Sequence, residues 1–378
     1  MLSPRSSLHA GVARVTITPP IGAILTGFPD PRRRAAFERD PLYATALVLS
    51  DGGQRIVVLS CDTQYIHPSV ADDVRATVEE MTGIGRAHVM ICCSHTHSGP
   101  AAYAHPEAAP IDRAYVNNLR FLLSGAVVAA VAELRPVQLA WGTANTWAGV
   151  NRREVRSDGR VVLGHNPAGP VDPELGVLRV DTHDGRPLAV LVNYACHPVV
   201  LGGESRAISA DYVGHMRSAV EAATKGAVLF VQGACGDINP RLGPAPDHGQ
   251  ASAVGHEVAG AVLTAWATAQ PISGDGLAGI TTGIRLPLLE DLAIVPDLIT
   301  DERRLALAEG MNQWEPWAAE VLTDPASGRR VTPIEMQVLA VGPLAIVGVP
   351  AELFVEIGLA LKANGGGRPL VRAWIRAG

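Results

Sequence analysis

The stretch CCSHTHSGP, residues 92–100, puts His95 and His97 two positions apart where an apolar run gives way to a Ser-Gly-Pro breaker. In an extended strand, residues two apart project to the same face, so both imidazoles enter one cavity if ICCSHTH stays extended. Neutral imidazoles suit Zn²⁺, and catalytic zinc sites usually combine three protein ligands with one open position. His197, just before Pro198, and Glu352, closing a later apolar run, offer the further donors. A His-x-His pair alone is as readily the end of a strand as a metal site. Three strand ends finishing on potential ligands favour the metal.

Other motifs read as support for such a site. VQGACGDINPR (231–241) ends an apolar run with Gly233, Gly236, Asp237 and Asn239. Glycines let backbone N–H groups approach an oxyanion, and the carboxylate is placed to orient an imidazole or to move a proton. The same string also reads as a strand ending in a tight turn. SADYVGH (209–215) supplies Ser209 and Asp211 as helix caps, with Asp211 alternatively reaching a metal-bound histidine. VNRRE (150–154) reads as a polar loop presenting Arg152 and Arg153 to a carboxylate or oxyanion. RRR (32–34), among Pro, Asp and Glu, reads as a solvated loop.

Three hairpins must position these groups. TALVLSDGGQRIVVLSCD (45–62), GVLRVDTHDGRPLAVLVNYACH (176–197) and EMQVLAVGPLAIVGVPAE (335–352) are each a β-branched apolar run, a Gly-containing turn and a second run. They finish on Asp62, His197 and Glu352. Helical spacing appears over 69–83, with Val70, Val74, Val78 and Met81 on one face, Ser69 as N-cap and Gly83 as stop. It recurs over 112–135, 209–224, 249–268, 301–314 and 353–363, and AHVMICC (87–93) and AVLFVQGACGD (227–237) read as buried strands. The fold class is α/β, with mixed β-sheets and β-hairpins sandwiched by α-helices and polar residues gathered at strand ends, where α/β proteins bind ligands. Hairpins before and after the histidine pair exclude a (β/α)₈ barrel. No linker divides the chain, so residues 1–378 read as one domain with long loops near 98–110 and 239–250.

Composition narrows the function classes. A chain of 378 residues, 47% hydrophobic, buries a large core. Its net charge is −6 and its only lysines are Lys225 and Lys362, which excludes a nucleic-acid track. The N-terminus lacks the apolar stretch of a signal peptide and no run of about 20 apolar residues offers a membrane span, so a cytoplasmic location is expected. Five cysteines, Cys61, Cys92, Cys93, Cys196 and Cys235, lack framework spacing and read as buried free thiols. Aromatic residues make up 4%, which argues against a large stacking pocket, and the helix around LSGAVVAAVA reads as core; oligomeric state leaves no signal.

The strings TITPPIGAILTGF, SHTHSGP, VNRRE, NYACHP, SADYVG, VQGACGDINPR and VPAELF, in this order from about residue 10 to about residue 357, resemble the neutral ceramidase family in its N-terminal catalytic domain. The resemblance implies hydrolysis of an amide by zinc-activated water. It implies Zn²⁺ on His95, His197 and Glu352, His97 beside the ion as an acid/base or hydrogen-bonding group, and Arg152 near the substrate. This chain departs from the pattern at Asn239, where the family carries serine, and in having no tyrosine after Tyr212, where the family places a fourth ligand. Neither a leader nor an immunoglobulin-like C-terminal domain is apparent, so the expected substrate is a soluble small molecule. The expectation is a zinc-dependent hydrolase of a linear amide or related acyl bond, with His97 or Asp237 moving the proton and Arg152, Asn239 and the backbone near Gly236 around the substrate. The alternatives are a non-catalytic ligand-binding protein on this scaffold and a metal-dependent esterase or lactonase.

Overall fold

The computed structural model describes residues 8–28, 30, 32–103, 108–274, 276–287, 322–323, 325, 328, 330–365 and 370–374. The helix expected over 301–314 lies outside them. The main sheet contains β1 (His9–Thr16), β3 (Tyr43–Ser50), β4 (Arg55–Cys61), β5 (Val89–Cys93), β6 (Arg135–Asn145), β9 (Glu174–Thr182), β10 (Pro187–Tyr194) and β12 (Ala227–Gln232). Their order is β12-β10-β9-β6-β1-β3-β4-β5, and the short β14 (Gln270–Pro271) pairs with β6. A second sheet orders β15 (Leu277–Pro287), β17 (Arg330–Val341), β18 (Leu344–Val349) and β19 (Leu370–Trp374), with β16 (Leu322–Thr323) on β17. Two small sheets join β2 (Phe37–Glu38) to β11 (Ala207–Ile208), and β13 (Ile238–Pro240) to β7 (Gly149–Val155) and β8 (Val161–Asn166). The helices are α1 (Pro68–Thr82), α2 (Pro110–Ala132), α3 (Tyr212–Thr224), α4 (His248–Thr268) and α5 (Val355–Asn364).

The three expected hairpins are β3–β4, β9–β10 and β17–β18, all antiparallel. The apolar runs of β3–β4 and β9–β10 are nearly continuous because both faces of the main sheet are covered, whereas burial alternates along β18 of the second sheet. Along β3 and β4, Ala44, Ala46, Val48, Val57 and Leu59 pack among residues of α1 and α2. The alternate residues Leu47, Leu49, Ile56 and Val58 pack among Leu339, Val341, Leu344 and Ile346 of the second sheet. At the other end of the sheet, Val190, Val192, Val228 and Phe230 share a core with α3 and α4. Helices thus cover one face and the second sheet covers the other.

Helix α1 begins at Pro68, pre-set for a first helical position, with His67 rather than Ser69 as its N-cap; it ends at Gly83, φ 72°. Val70, Val74 and Val78 are buried, but Met81 is exposed and does not continue their stripe. Helix α2, by length and composition alone, is long and apolar enough to cross a membrane, the one such helix among the described residues. Its residues Leu119, Leu123, Ala126, Val127 and Ala130 are instead part of the core against β1 and β3. It comes so close to β1 that a Cβ at Gly11 would lie 1.9 Å from the Ala130 carbonyl oxygen.

Two parallel pairings matter for function: β4 runs with β5, and β10 with β12. The two edges of the main sheet, β5 and β12, also come together beyond their ladders. Ser60 Oγ donates to Phe230 O at 2.6 Å, and Gln232 Nε2 donates to Ser94 O at 3.2 Å. The carboxyl ends of β5, β10 and β12 therefore meet in one place.

Candidate metal centre

The chain does not stay extended after β5. Ser94 N donates to Cys61 O, His95 N to Thr63 O, and His95 takes a left-handed conformation with φ 67°. A left-handed turn, not strand alternation, therefore brings the two imidazoles together: His95 Nε2 and His97 Nε2 are 3.2 Å apart. His97 N donates to Pro198 O at 3.2 Å, which joins this turn to the end of β10 and His197. All three rings are buried and meet edge to face, with centroids 4.8 Å apart for His95–His97, 4.8 Å for His95–His197 and 5.4 Å for His97–His197.

Two of the rings are oriented by backbone carbonyls. His95 Nδ1 donates to Gln64 O at 2.8 Å and His197 Nδ1 to Cys235 O at 2.6 Å. A carbonyl can only accept, so Nδ1 carries the proton and each Nε2 keeps its lone pair for an electrophile. Glu352, just past β18, completes the group: Oε1 lies 3.5 Å from His95 Nε2 and Oε2 lies 3.5 Å from His197 Nε2. A tetrahedral ion with ligands at about 2.0–2.1 Å sets its donors about 3.3–3.4 Å apart. The observed 3.2–3.5 Å spacings match that edge, and the ligating atoms of the three histidines lie within 4.8 Å of one another. The donor set fits a metal ion.

Protonation agrees with this. Burial first, and then the neighbouring imidazoles, push His97 well below the ordinary histidine value. Burial brings His197 down to about 4. Burial alone would raise the Glu352 carboxyl, but the adjacent His197 and His95 outweigh it and hold it below the usual carboxylate range. Near neutral pH His97 and His197 are therefore uncharged and Glu352 is ionised, the forms that bind metal.

Glycines permit the close packing around these groups. A Cβ on Gly236 would sit 2.6 Å from Glu352 O, and Gly236 N donates to Leu353 O at 2.8 Å. Gly27, φ 105°, lies against the His97 ring, where a Cβ would come within 2.4 Å. A single buried amide ties the strand ends together: Gln232 Nε2 donates to Ser94 O and Cys196 O, while its Oε1 accepts from Cys196 N and Gly233 N.

Several residues stand where the sequence did not place them. VNRRE belongs to strand β7, not a loop, so Arg152 and Arg153 point to opposite faces. Arg152 Nη2 donates to Gly236 O at 2.6 Å and lies 3.5 Å from Glu352 Oε2; its Nη1 donates to Asn239 Oδ1 at 3.4 Å. Arg153 instead stacks over Phe354. Asp237 is fully buried and touches no imidazole: Oδ1 accepts from Val355 N and Oδ2 from Asn151 Nδ2. The Gly236 N–H is engaged by Leu353, which removes it as an oxyanion donor. Asp211 caps α3 and accepts from Leu201 N and Tyr212 N, not from a histidine; Ser209 Oγ accepts from Asp211 N behind it. Arg33 of RRR is 2% exposed, not solvated: Leu25 N donates to its carbonyl, and the neighbouring Thr26 N donates to Gly99 O beside the turn that carries His97. The orienting carbonyls of Gln64 and Cys235 carried no signal in residue type, whereas Gln232, a polar residue closing AVLFVQ, did. All five cysteines are free and buried.

Fold and site together define an α/β protein with a buried histidine cluster, joined by a carboxylate, that could hold a metal ion where its strand ends meet. The family model described as neutral/alkaline non-lysosomal ceramidase, N-terminal, matches residues 8–273, and the chain belongs to that family. Among curated proteins it is similar to neutral ceramidase B of Dictyostelium discoideum, 26% identical over 206 residues, covering 50% of this chain and 28% of that protein. Neutral ceramidase A of the same organism is 25% identical over 189 residues, covering 46% of this chain and 26% of its own length. The chain thus matches little more than a quarter of the length of these relatives. Its fold is that of the neutral ceramidase from Pseudomonas aeruginosa, with a TM-score of 0.74 at 18% identity, covering 97% of this chain and 67% of that one. A structure described as ceramidase complexed with C2 aligns with a TM-score of 0.73 at 19% identity, covering 97% and 68%.

Proposed function

We propose that this chain is a zinc-dependent hydrolase of an acyl amide in a small-molecule substrate, the reaction class its ceramidase relatives are named for. The observation that carries the reading is the Glu352 carboxylate 3.5 Å from both His95 Nε2 and His197 Nε2, with the ligating atoms of these histidines within 4.8 Å of one another. Both of these histidines have the orienting carbonyl that metal-bound imidazoles require, whereas His97 Nδ1 has no partner. That asymmetry supports His95, His197 and Glu352 as the zinc ligands, with His97 beside the ion. When bound, zinc supplies Lewis acidity, polarising a carbonyl and lowering the pKa of water.

The chain's own groups do the rest. Neutral His97 accepts a proton at Nε2 and returns it to the leaving amine nitrogen. The Arg152 guanidinium, held in plane by Gly236 O and Asn239 Oδ1, sets a fixed positive charge at the mouth of the site, where the amide oxygen gains negative charge. Asp237 serves this geometry from behind: it joins Asn151 of β7 to the first residue of α5, next to the segment carrying Glu352.

The test is metal analysis of the purified chain, followed by assay on N-acyl amides and the matching esters. One zinc per chain, lost in His95→Ala, with amide cleavage abolished by chelation, supports the reading. Faster turnover of the esters assigns an esterase instead, and zinc binding without turnover of either assigns a binding protein. A chain that takes up no metal refutes the proposal.

A further inference from the structure

Among the described residues Arg33 is the largest fully buried side chain, and none of their carboxylates forms an ion pair with it, Asp30 acting only through its charge. Its Nη2 donates to two carbonyls, Thr26 O at 3.1 Å and His97 O at a shorter distance. Its Nε and Nη1 are buried without a partner. The guanidinium lies 4.9 Å over the Phe28 ring, and that ring meets the His97 imidazole edge-on at 5.2 Å. Leaving buried donors unsatisfied costs about 1–3 kcal/mol each, so a site that keeps this arrangement gives up stability for it. Burial also draws the guanidinium down to about 10, which leaves it charged at neutral pH.

The arrangement is directed at one residue. His97 is held at its N–H by Pro198 O and at its carbonyl by Arg33, while its ring is bounded by Gly27 on one side and Phe28 on another. No hydrogen bond reaches Nδ1, so the ring has no orienting partner of the kind that fixes His95 and His197. Beyond the 3.2 Å contact of Nε2 with His95 Nε2, main-chain and stacking contacts are what remain to set its rotation.

We propose that Arg33 is a positioning residue for His97: through the His97 carbonyl and the Phe28 ring it holds the imidazole so that Nε2 faces the metal centre. Its bearing on catalysis rests on the hydrolase reading above, but the positioning itself does not. The experiment separates the two. Metal-free protein labelled with ¹⁵N-histidine is compared by NMR for wild type, Arg33→Met and Arg33→Lys, with His97→Gln used to assign the His97 ring signals. The expected result is one sharp His97 signal set in wild type, broadened or split in Arg33→Met, with His95 and His197 unchanged and Arg33→Lys partly restored. If Arg33→Met does not fold, Arg33→Lys carries the comparison, because a lysine keeps the charge but loses the planar stack. In the zinc-loaded protein, kcat should fall at least tenfold in Arg33→Met, with KM within about threefold and zinc still at one per chain. Unchanged His97 signals in the folded variant overturn the proposal, as does uniform broadening of all three rings. Wild type that cleaves no amide, with the His97 effect intact, refutes the hydrolase reading alone.

Discussion

Adding one methyl group at Gly236, a residue that contributes no donor, should weaken metal binding. In Gly236→Ala the new Cβ would sit 2.6 Å from Glu352 O and 2.8 Å from Leu353 O. Carbon and oxygen approach no closer than about 3.3 Å without strain, so the Glu352–Leu353 backbone must retreat by roughly 0.7 Å. Metal sites tolerate departures of only about 0.2 Å, and the Glu352 side chain can absorb part of the difference but not all of it. Zinc affinity should therefore fall on the order of 10–100-fold, or about 1.4–2.8 kcal/mol. The metal-free variant should also lose about 1–3 kcal/mol from overpacking. Competition titration against a chromophoric chelator reads the first effect, and urea unfolding under chelation reads the second. Gly260→Ala is the control: it lies in α4 with no atom within 4 Å of its added Cβ, and should leave zinc affinity unchanged while slightly stabilising the helix. A Gly236→Ala protein that binds zinc like wild type refutes the claim that this close approach sets the carboxylate.

Glu352→Gln keeps the shape but removes the charge, and should lower zinc affinity by more than the roughly 10–100-fold typical of outer-shell changes; a smaller loss in the same titration would remove Glu352 from the ligand set. His197 is held at about 4 in the fold against 6.5 ordinarily, so between these values the unfolded chain binds the extra proton. The metal-free protein keeps this residue's contribution above about pH 6.5 and loses it as pH falls toward 4, about 3 kcal/mol in all. Urea midpoints should therefore drop less steeply with acid in His197→Gln than in wild type, and parallel slopes would contradict the sign. Gly27→Ala places a Cβ at φ 105° against the His97 ring and should cost about 1–2 kcal/mol for the left-handed backbone plus about 1–3 for the clash. Unaltered urea unfolding of that variant would show that the ring has room to move.

The proposed ligands were legible because each is a polar side chain that interrupts an apolar strand at its end, and the three hairpins were legible from turns between β-branched runs. Position in the chain gave no measure of what those ends touch. Asp237 has the residue type of an imidazole partner, but its oxygens are claimed by Asn151 and by Val355 N, 118 positions away. VNRRE looked like a loop because its charges outnumber its apolar residues; pairing with β8 and β13 makes it a strand. RRR concealed its buried member because two of its three arginines are partly or fully exposed, and only the fold of the segment around it takes the middle one inside. His95 and His97 do share a cavity, but by a turn at φ 67° that no pattern in CCSHTHSGP announces.

The Gln232 side chain uses both donors and both acceptor sites of its amide on the loops after β5, β10 and β12. A carboxylate there would turn an oxygen toward two carbonyls, and an aliphatic residue would take this partner from Ser94 O and Cys196 N, while Cys196 O keeps the Tyr212 hydroxyl and Gly233 N keeps Tyr194 O. Drift in any one of these loops is therefore checked by the other two.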